Sequence, residues 1–173
     1  MTAKLTWIGE RPHDRFGAVW TAVSKDGLVA VSLWAERERI EREVEKLTGQ
    51  PPVYDVDRVT AVLDQLDDYF QGRRHVFDLP IDWSVMTLFQ QTAMRVVCTI
   101  PYGQYLTYAD VAEKIGRPRA MRAVGRANAT NPMPVIIPCH RLVGRDGKLH
   151  GYGGPGGLET KAWLLRLEGA SLR

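Results

Sequence analysis

Only two cysteines, Cys98 and Cys139, occur in the 173 residues, so one disulfide at most could form. That excludes a small scaffold stapled by disulfides. Neither cysteine sits in a Cys-x-x-Cys pair and the four histidines lack zinc spacing, so no metal site is expected. No run approaches the roughly 18 apolar residues of a membrane span. The opening "MTAKLTWIGERPHDRFG" lacks a long apolar stretch, so no secretory signal is expected. Reduced thiols in the cytoplasm, no membrane and a monomeric state are the corresponding expectations.

What is present is a sizeable apolar fraction, 45%, enough for a real core. The net charge of +3 hides an asymmetry. Residues 1–85 carry 11 Lys and Arg against 15 Asp and Glu, net −4; residues 86–173 carry 12 against 5, net +7. A basic half of this kind suits contact with a polyanion, although scattered arginines on a soluble domain give the same count.

The first part reads as a small α/β domain, residues 1–83, with an antiparallel sheet and helices. "FGAVWTAVSKDGLVAVSLW" places two apolar runs around Lys25-Asp26-Gly27, a hairpin signal. "AERERIEREVEKLTG" is helical in composition and is stopped by Gly49. "DVDRVTAVLDQLDDYFQG" puts Val59, Val62, Leu63, Leu66 and Phe70 on one helical face, with Gly72 as its end. "HVFDLPIDW" is expected to form a third strand.

Residues 84–173 read as a mainly α domain. "SVMTLFQQTAMRVVCTI" predicts an apolar helix that ends at Pro101-Tyr102-Gly103, with Cys98 as a buried small hydrophobe. Thr107 can cap a short helix through Ile115. Gly116-Arg117-Pro118 makes a turn, and a second helix follows to Asn128. Two short helices across a glycine turn fit either a helix-turn-helix or an ordinary αα-hairpin. The second helix mixes small residues (Ala120, Ala123, Gly125, Ala127) with Arg119, Arg122 and Arg126, a surface that can approach nucleic acid closely. Met121 sits among them, either packed inward or exposed as a wedge.

"PVIIPCHRLVG" holds the chemistry. A thiol becomes a nucleophile when it ionises, and Cys139 is followed by His140 and Arg141. A distant acid such as Glu168 could orient the imidazole. A structural cysteine after a buried strand "VIIP" fits the same residues. Two function classes stay open on residues alone: a cysteine-based enzyme, such as a hydrolase using Cys139, His140 and Glu168, and a non-catalytic helix-turn-helix DNA-binding protein.

"RPRAMRAVGRANAT", "NPMPVIIPCHRLVG" and "GYGGPGG…KAWLLRLEG" together resemble the O6-alkylguanine-DNA alkyltransferase family over residues 84–169; residues 1–83 fit that family in outline. The resemblance implies direct, single-turnover repair of duplex DNA bearing O6-alkylguanine, with O4-alkylthymine a further candidate lesion, and no cofactor. It implies that Cys139 accepts the alkyl group, His140 helps deprotonate it through a water, and Glu168 orients His140. It makes Asn131 the hinge and Tyr108 the hydroxyl that assists the leaving guanine. Arg122 becomes the finger that fills the gap of the flipped base. Thr107, Ala123, Arg126 and Ala127 fall on the expected DNA-facing segment. Pro134, Tyr152, Gly153 and Gly154 fall on the expected base pocket. Here the loop from Tyr152 to Lys161 is longer than the family's usual spacing, and Gly153 stands where serine or alanine is common.

Overall fold

The computed structural model describes residues 3–150 and 156–170. The chain divides into two compact units, Met1–Met86 and Thr87–Arg173.

The first unit is built on a four-stranded sheet. Strands β1 (Thr6–His13), β2 (Gly17–Ser24) and β3 (Gly27–Leu33) run antiparallel. The two-residue β4 (Val53–Tyr54) joins the outer side of β1 in parallel, so the order is β3-β2-β1-β4 and the sheet is mixed rather than purely antiparallel. The β2–β3 hairpin turns at Lys25-Asp26, where Ser24 Oγ accepts from the Asp26 N–H at 3.1 Å. Helix α1 (Arg37–Thr48) buries Ile40 and Val44 against Ile8, Trp20, Ala22 and Ala30. It stops at Gly49, whose left-handed backbone (φ 81°) returns its N–H to the Glu45 carbonyl at 2.8 Å. Helix α2 (Val56–Phe70) buries Val59, Val62, Leu63, Leu66 and Phe70, the face its periodicity predicts. Gly9 lets α2 close on β1, because a Cβ there would lie 2.6 Å from Val59 Cγ2.

The sequence leaves one strand of this unit unread, and one expected strand does not form. β1, a central strand, carries no apolar alternation that marks it, because Glu10, Arg11, Pro12 and His13 fill its second half. The Arg11 guanidinium is satisfied by Asp64 and Asp67 of α2 instead of by solvent alone. "HVFDLPIDW" forms no strand; it makes a single bridge, Leu28 to Ile81. Pro80 lacks a donor, and Asp82 turns the chain by accepting from the Ser84 N–H to start a 3-10 turn at Trp83–Val85.

Asp82 also ties this segment down. Its carboxylate is 3% exposed and receives Lys4 Nζ at 2.6 Å and Ser24 Oγ at 2.8 Å. Burial opposes its charge, but the hydrogen bonds from Lys4, Ser84 and Ser24 win and hold its carboxyl below the usual carboxylate range.

The second unit is mainly helical. Helix α3 (Leu88–Val97) starts at the Thr87/Gln90 capping box, four residues later than the apolar run suggests, because Ser84 and Val85 belong to the 3-10 turn. Cys98 follows as its C-cap and is exposed, not buried, since it falls off the Ala93–Met94–Val97 stripe. Helix α4 (Tyr108–Lys114) is capped by Thr107 with Asp110. Gly116 (φ 69°) breaks it, and a 3-10 turn at Pro118–Ala120 leads into α5 (Met121–Ala129). Two-residue strands β5 (Leu106–Thr107) and β6 (Leu142–Val143) pair in parallel, and α6 (Gly157–Leu167) closes the unit. Val97, Val111, Val124, Met133, Ile137, Leu142 and Leu164 are fully buried in it.

Removing the Asp82 carboxylate leaves Lys4 and Ser24 without their buried acceptor. Asp82→Ala should cost about 1–3 kcal/mol in urea unfolding near neutral pH, since Lys4 keeps its pairing with Asp26. A carboxyl held low stabilises above its unfolded pKa, about 3.9, and loses that contribution as pH falls through its folded value. The gap between wild type and variant should therefore shrink in unfolding curves taken below about pH 3.

Candidate active site

The segment before Cys139 is a turn rather than a strand. Pro134 and Ile137 bridge across it, and Ile137 N–H donates to the Met133 carbonyl at 2.9 Å. Val135 adopts φ 75°, the left-handed region that a β-branched residue avoids at a cost of about 1–3 kcal/mol. Asn131 holds the turn from inside: its Nδ2 donates to the Ile137 carbonyl at 3.0 Å and its Oδ1 accepts from the Met133 N–H at 3.0 Å. Asn128, at the end of α5, donates to the Cys139 carbonyl at 3.2 Å.

Cys139 then opens a 3-10 turn, Cys139–Arg141, N-capped by Pro138. A 3-10 turn sends three consecutive side chains in three directions, and here all three are buried. Burial pushes the Cys139 thiol up from its ordinary pKa; a hydrogen bond from Asn131 and the Lys161 charge oppose this only in part. The resting sulfur is therefore a thiol.

His140 Nε2 lies 2.8 Å from Glu168 Oε1. An ionised carboxylate only accepts, so Nε2 carries the proton and Nδ1 is the basic nitrogen of a neutral ring. Burial lowers the imidazole pKa, against the pull of Glu168. Arg141 grips the same carboxylate with Nε at 2.9 Å from Oε2 and Nη2 at 2.9 Å from Oε1. Its Nη1 donates to the Ile100 carbonyl at 2.6 Å. Gly103 N–H completes the set at 3.1 Å from Oε2, and a Cβ at Gly103 would come within 2.8 Å of the Glu168 carbonyl oxygen.

A second cluster faces the thiol. Tyr108, the first residue of α4, donates its hydroxyl to the His150 carbonyl at 2.9 Å. Lys161, from α6 and fully buried, donates to the same carbonyl at 2.8 Å and sits 3.5 Å from the Tyr108 hydroxyl. Burial lowers Lys161 to a pKa of about 8. Burial, with the Cys139 charge adding, raises Tyr108 to about 12. Cys139, Tyr108 and Lys161 thus sense one another electrostatically.

The cationic surface lies on α5 and the turn before it. Arg117, Arg119, Arg122, Ala123 and Arg126 are exposed, and Met121 is 46% exposed, outward rather than packed. Ala127 is not on this face. It is 3% exposed, because Val124, Ala127 and Asn128 form the inward stripe of the helix. The Thr107 hydroxyl accepts from the Asp110 N–H at 3.1 Å as a helix cap. Pro134 is half-buried in the turn before the cysteine. Tyr152, Gly153 and Gly154 lie outside the described residues. Among the described residues, no group of three or more His, Cys, Asp or Glu side chains is placed to hold a metal ion.

Comparison with known proteins gives this geometry its context. Residues 88–170 match the 6-O-methylguanine DNA methyltransferase DNA binding domain, and residues 15–83 match the ribonuclease-like domain of the same methyltransferases. A methylated-DNA–protein-cysteine methyltransferase of Methanosarcina barkeri is 40% identical over 91% of this chain and 94% of its own length. The protein of that description from Shigella flexneri is 36% identical over 95% and 97%.

The chain belongs to the 6-O-methylguanine DNA methyltransferase family.

Solved structures of family members agree with the fold. The Mycobacterium tuberculosis O6-methylguanine methyltransferase superposes with a TM-score of 0.78 at 34% identity, covering 95% of this chain and 93% of that one. The M. tuberculosis protein in complex with DNA gives 0.76 at 34% identity, over 94% and 91%. No helix among the described residues is long and apolar enough to cross a membrane.

Three residues of this family member enter the site without having been singled out in the sequence. Asn128 looks like one more polar residue near a helix end. Arg141 reads as local positive charge, and Lys161 as a marker of loop length. A lysine and an arginine inside otherwise apolar stretches, "LETKAWLL" and "CHRLVG", are the signal that could have found the last two.

A histidine kept neutral by burial destabilises the fold when the solution would protonate it. With a folded pKa below the unfolded value of about 6.5, stability should fall as pH drops below about 6.5 and level off once the folded ring also titrates. Urea midpoints across that range should fall less steeply for His140→Asn than for wild type.

Proposed function

We propose that the protein repairs alkylated DNA directly, by moving the alkyl group from O6 of guanine to the sulfur of Cys139. Family membership supports the activity. The observation that carries the residue assignment is the buried Cys139 thiol next to a neutral His140 whose tautomer is fixed by Glu168.

The first unit is a scaffold domain and the second holds the whole reaction. Exposed arginines on α5 and its preceding turn bind phosphates of the duplex, α4 and α5 act as a helix-turn-helix, and the exposed Ala123 lets the helix approach the groove. The target atom is inaccessible inside a base stack, so the nucleotide is flipped out at a cost of a few kcal/mol. Arg122 fills the gap. The base enters a pocket that Pro134 helps to wall.

In the pocket, the Cys139 proton passes through a water to His140 as the sulfur attacks the alkyl carbon. The carbon–O6 bond breaks, the guanine takes the electron pair, and the Tyr108 hydroxyl supplies a proton to the base. The thioether product is not hydrolysed, so each molecule reacts once. Asn128 and Asn131 keep the acceptor segment registered to α5. Work in the cytoplasm, where thiols stay reduced, fits an acceptor cysteine that must be free.

Incubation with a duplex carrying O6-methylguanine should add the mass of one methyl group to the intact chain, and peptide mapping should place it on Cys139. Cys139→Ser should lose transfer and keep DNA binding, whereas Cys98→Ser should keep both. A methyl group found on Cys98 would refute the assignment.

His140→Ala and Glu168→Gln should each slow single-turnover transfer by about 10²-fold or more, with partial rescue at higher pH. The double variant should be little worse than either, because the two side chains act as one relay. Additive losses would separate Glu168 from the chemistry.

A further inference from the structure

The amide of Asn128 offers more than the Cys139 backbone uses. The residue is 3% exposed and lies on the inward stripe of α5. Its Nδ2 carries two protons, and one goes to the Cys139 carbonyl at 3.2 Å. Its Oδ1 is buried and has no hydrogen-bond partner among the described residues. A buried oxygen without a donor is costly, so packing alone does not call for an asparagine here.

The other neighbour of this amide is Tyr108. A Cβ at Gly125 would lie 4.0 Å from Tyr108 Cδ1, so this turn of α5 faces the tyrosine ring with no side chain between them. Asn128 follows three residues later, on the same side of the helix. Its side chain bonds to the Tyr108 oxygen in the sense that favours the phenolate, so the amide is the donor there.

Tyr108 has to change partner before it can serve a base. Its proton is committed to the His150 carbonyl at 2.9 Å. Lys161 Nζ donates to that carbonyl at 2.8 Å, so the acceptor stays satisfied when the tyrosine proton turns away. The turning hydroxyl needs a contact that grips its oxygen and leaves its proton free. An N–H donor does this, whereas another acceptor would compete for the proton.

We propose, on the proton-donor role given to Tyr108 above, that Asn128 is a positioning residue for the leaving-group step: one amide proton fixes the Cys139 carbonyl and the other holds the Tyr108 oxygen. In that step the carbon–O6 bond breaks, its electron pair moves into the guanine, and the Tyr108 proton goes to a ring nitrogen. Solvent water returns a proton to the phenolate once the base has left. Asn128 thereby registers the nucleophile and the leaving-group acid to one turn of α5, opposite the face that carries Arg122 and Arg126.

The test uses the full chain and single-turnover transfer from a duplex carrying O6-methylguanine. Asn128→Leu, which removes both donors, should slow transfer by about 10-fold or more with duplex affinity unchanged. Asn128→Ala, which adds no volume, repeats the measurement if leucine disturbs the fold. In a Tyr108→Phe background either change should cost less than about two-fold more, because the amide acts through the hydroxyl. Free O6-benzylguanine and its 8-aza analogue, whose ring takes the electron pair more readily, supply a second readout. The loss should be smaller on the 8-aza base, and a purely structural role at the Cys139 carbonyl would slow both equally. A wild-type rate, equal losses on the two free bases, or full additivity with a slow Tyr108→Phe overturns the role of Asn128 alone. A wild-type rate for Tyr108→Phe removes the proton-donor role of Tyr108 and the role of Asn128 with it.

Discussion

The buried Glu168 carboxylate gathers His140, Arg141 and the Gly103 N–H around two oxygen atoms. A carboxylate taken out of water is tolerable only when such donors replace the lost hydration. The donors come from two places in the chain, the connection after α3 and the 3-10 turn at Cys139–Arg141, and the carboxylate comes from the end of α6. Satisfying one charge therefore fixes all three segments at once. It also fixes the His140 tautomer, so the same contact that closes the fold decides which ring nitrogen is the base. Arg141 extends the knot to the Ile100 carbonyl and leaves no room for an independent movement of the cysteine turn.

Around the sulfur, the charges are arranged to delay ionisation rather than to force it. Burial holds Cys139 as a thiol and His140 as a neutral base, while Lys161 stands by with a positive charge that burial has made easy to lose. Cys98, an exposed residue, is likewise held as a thiol: partial burial pushes it up to about 11, against the charges of Arg95 and Arg141. The two units divide the work electrostatically: the acidic one cannot compete for phosphate, and the basic one meets the duplex.

The hairpin, α1 and α2 were legible because each follows a local rule: a two-residue turn ahead of a glycine, a left-handed Gly49 stop, an apolar stripe at helical spacing. β1 was not, since its polar half is satisfied by α2, a partner 53 residues away in sequence in the case of Arg11 and Asp64. The run "HVFDLPIDW" has strand composition, yet Pro80 and Asp82 end its pairing after one bridge. In the site, residue types drew attention to Cys139, His140 and Glu168 singly. The turn that buries three consecutive side chains depends on Val135 at φ 75°, a conformation that valine composition argues against. Ala127 was misplaced because small residues on a helix look alike until the buried stripe is known. Arg141 reads as local positive charge and Lys161 as a loop-length marker, because only the fold supplies the carboxylate and carbonyls that pay for burying them.

Cys139 sits in packed interior, 3% exposed, with its backbone clamped by Asn128 and by the Ile137 carbonyl. If Cys139 accepts the methyl group, as proposed, the added carbon enters closely packed surroundings. Forcing one extra carbon into a filled core costs about 1–3 kcal/mol. Against a total stability of about 5–15 kcal/mol, that is a large fraction. Under the proposed acceptor role of Cys139, the alkylated chain is therefore expected to be less stable than the unreacted one.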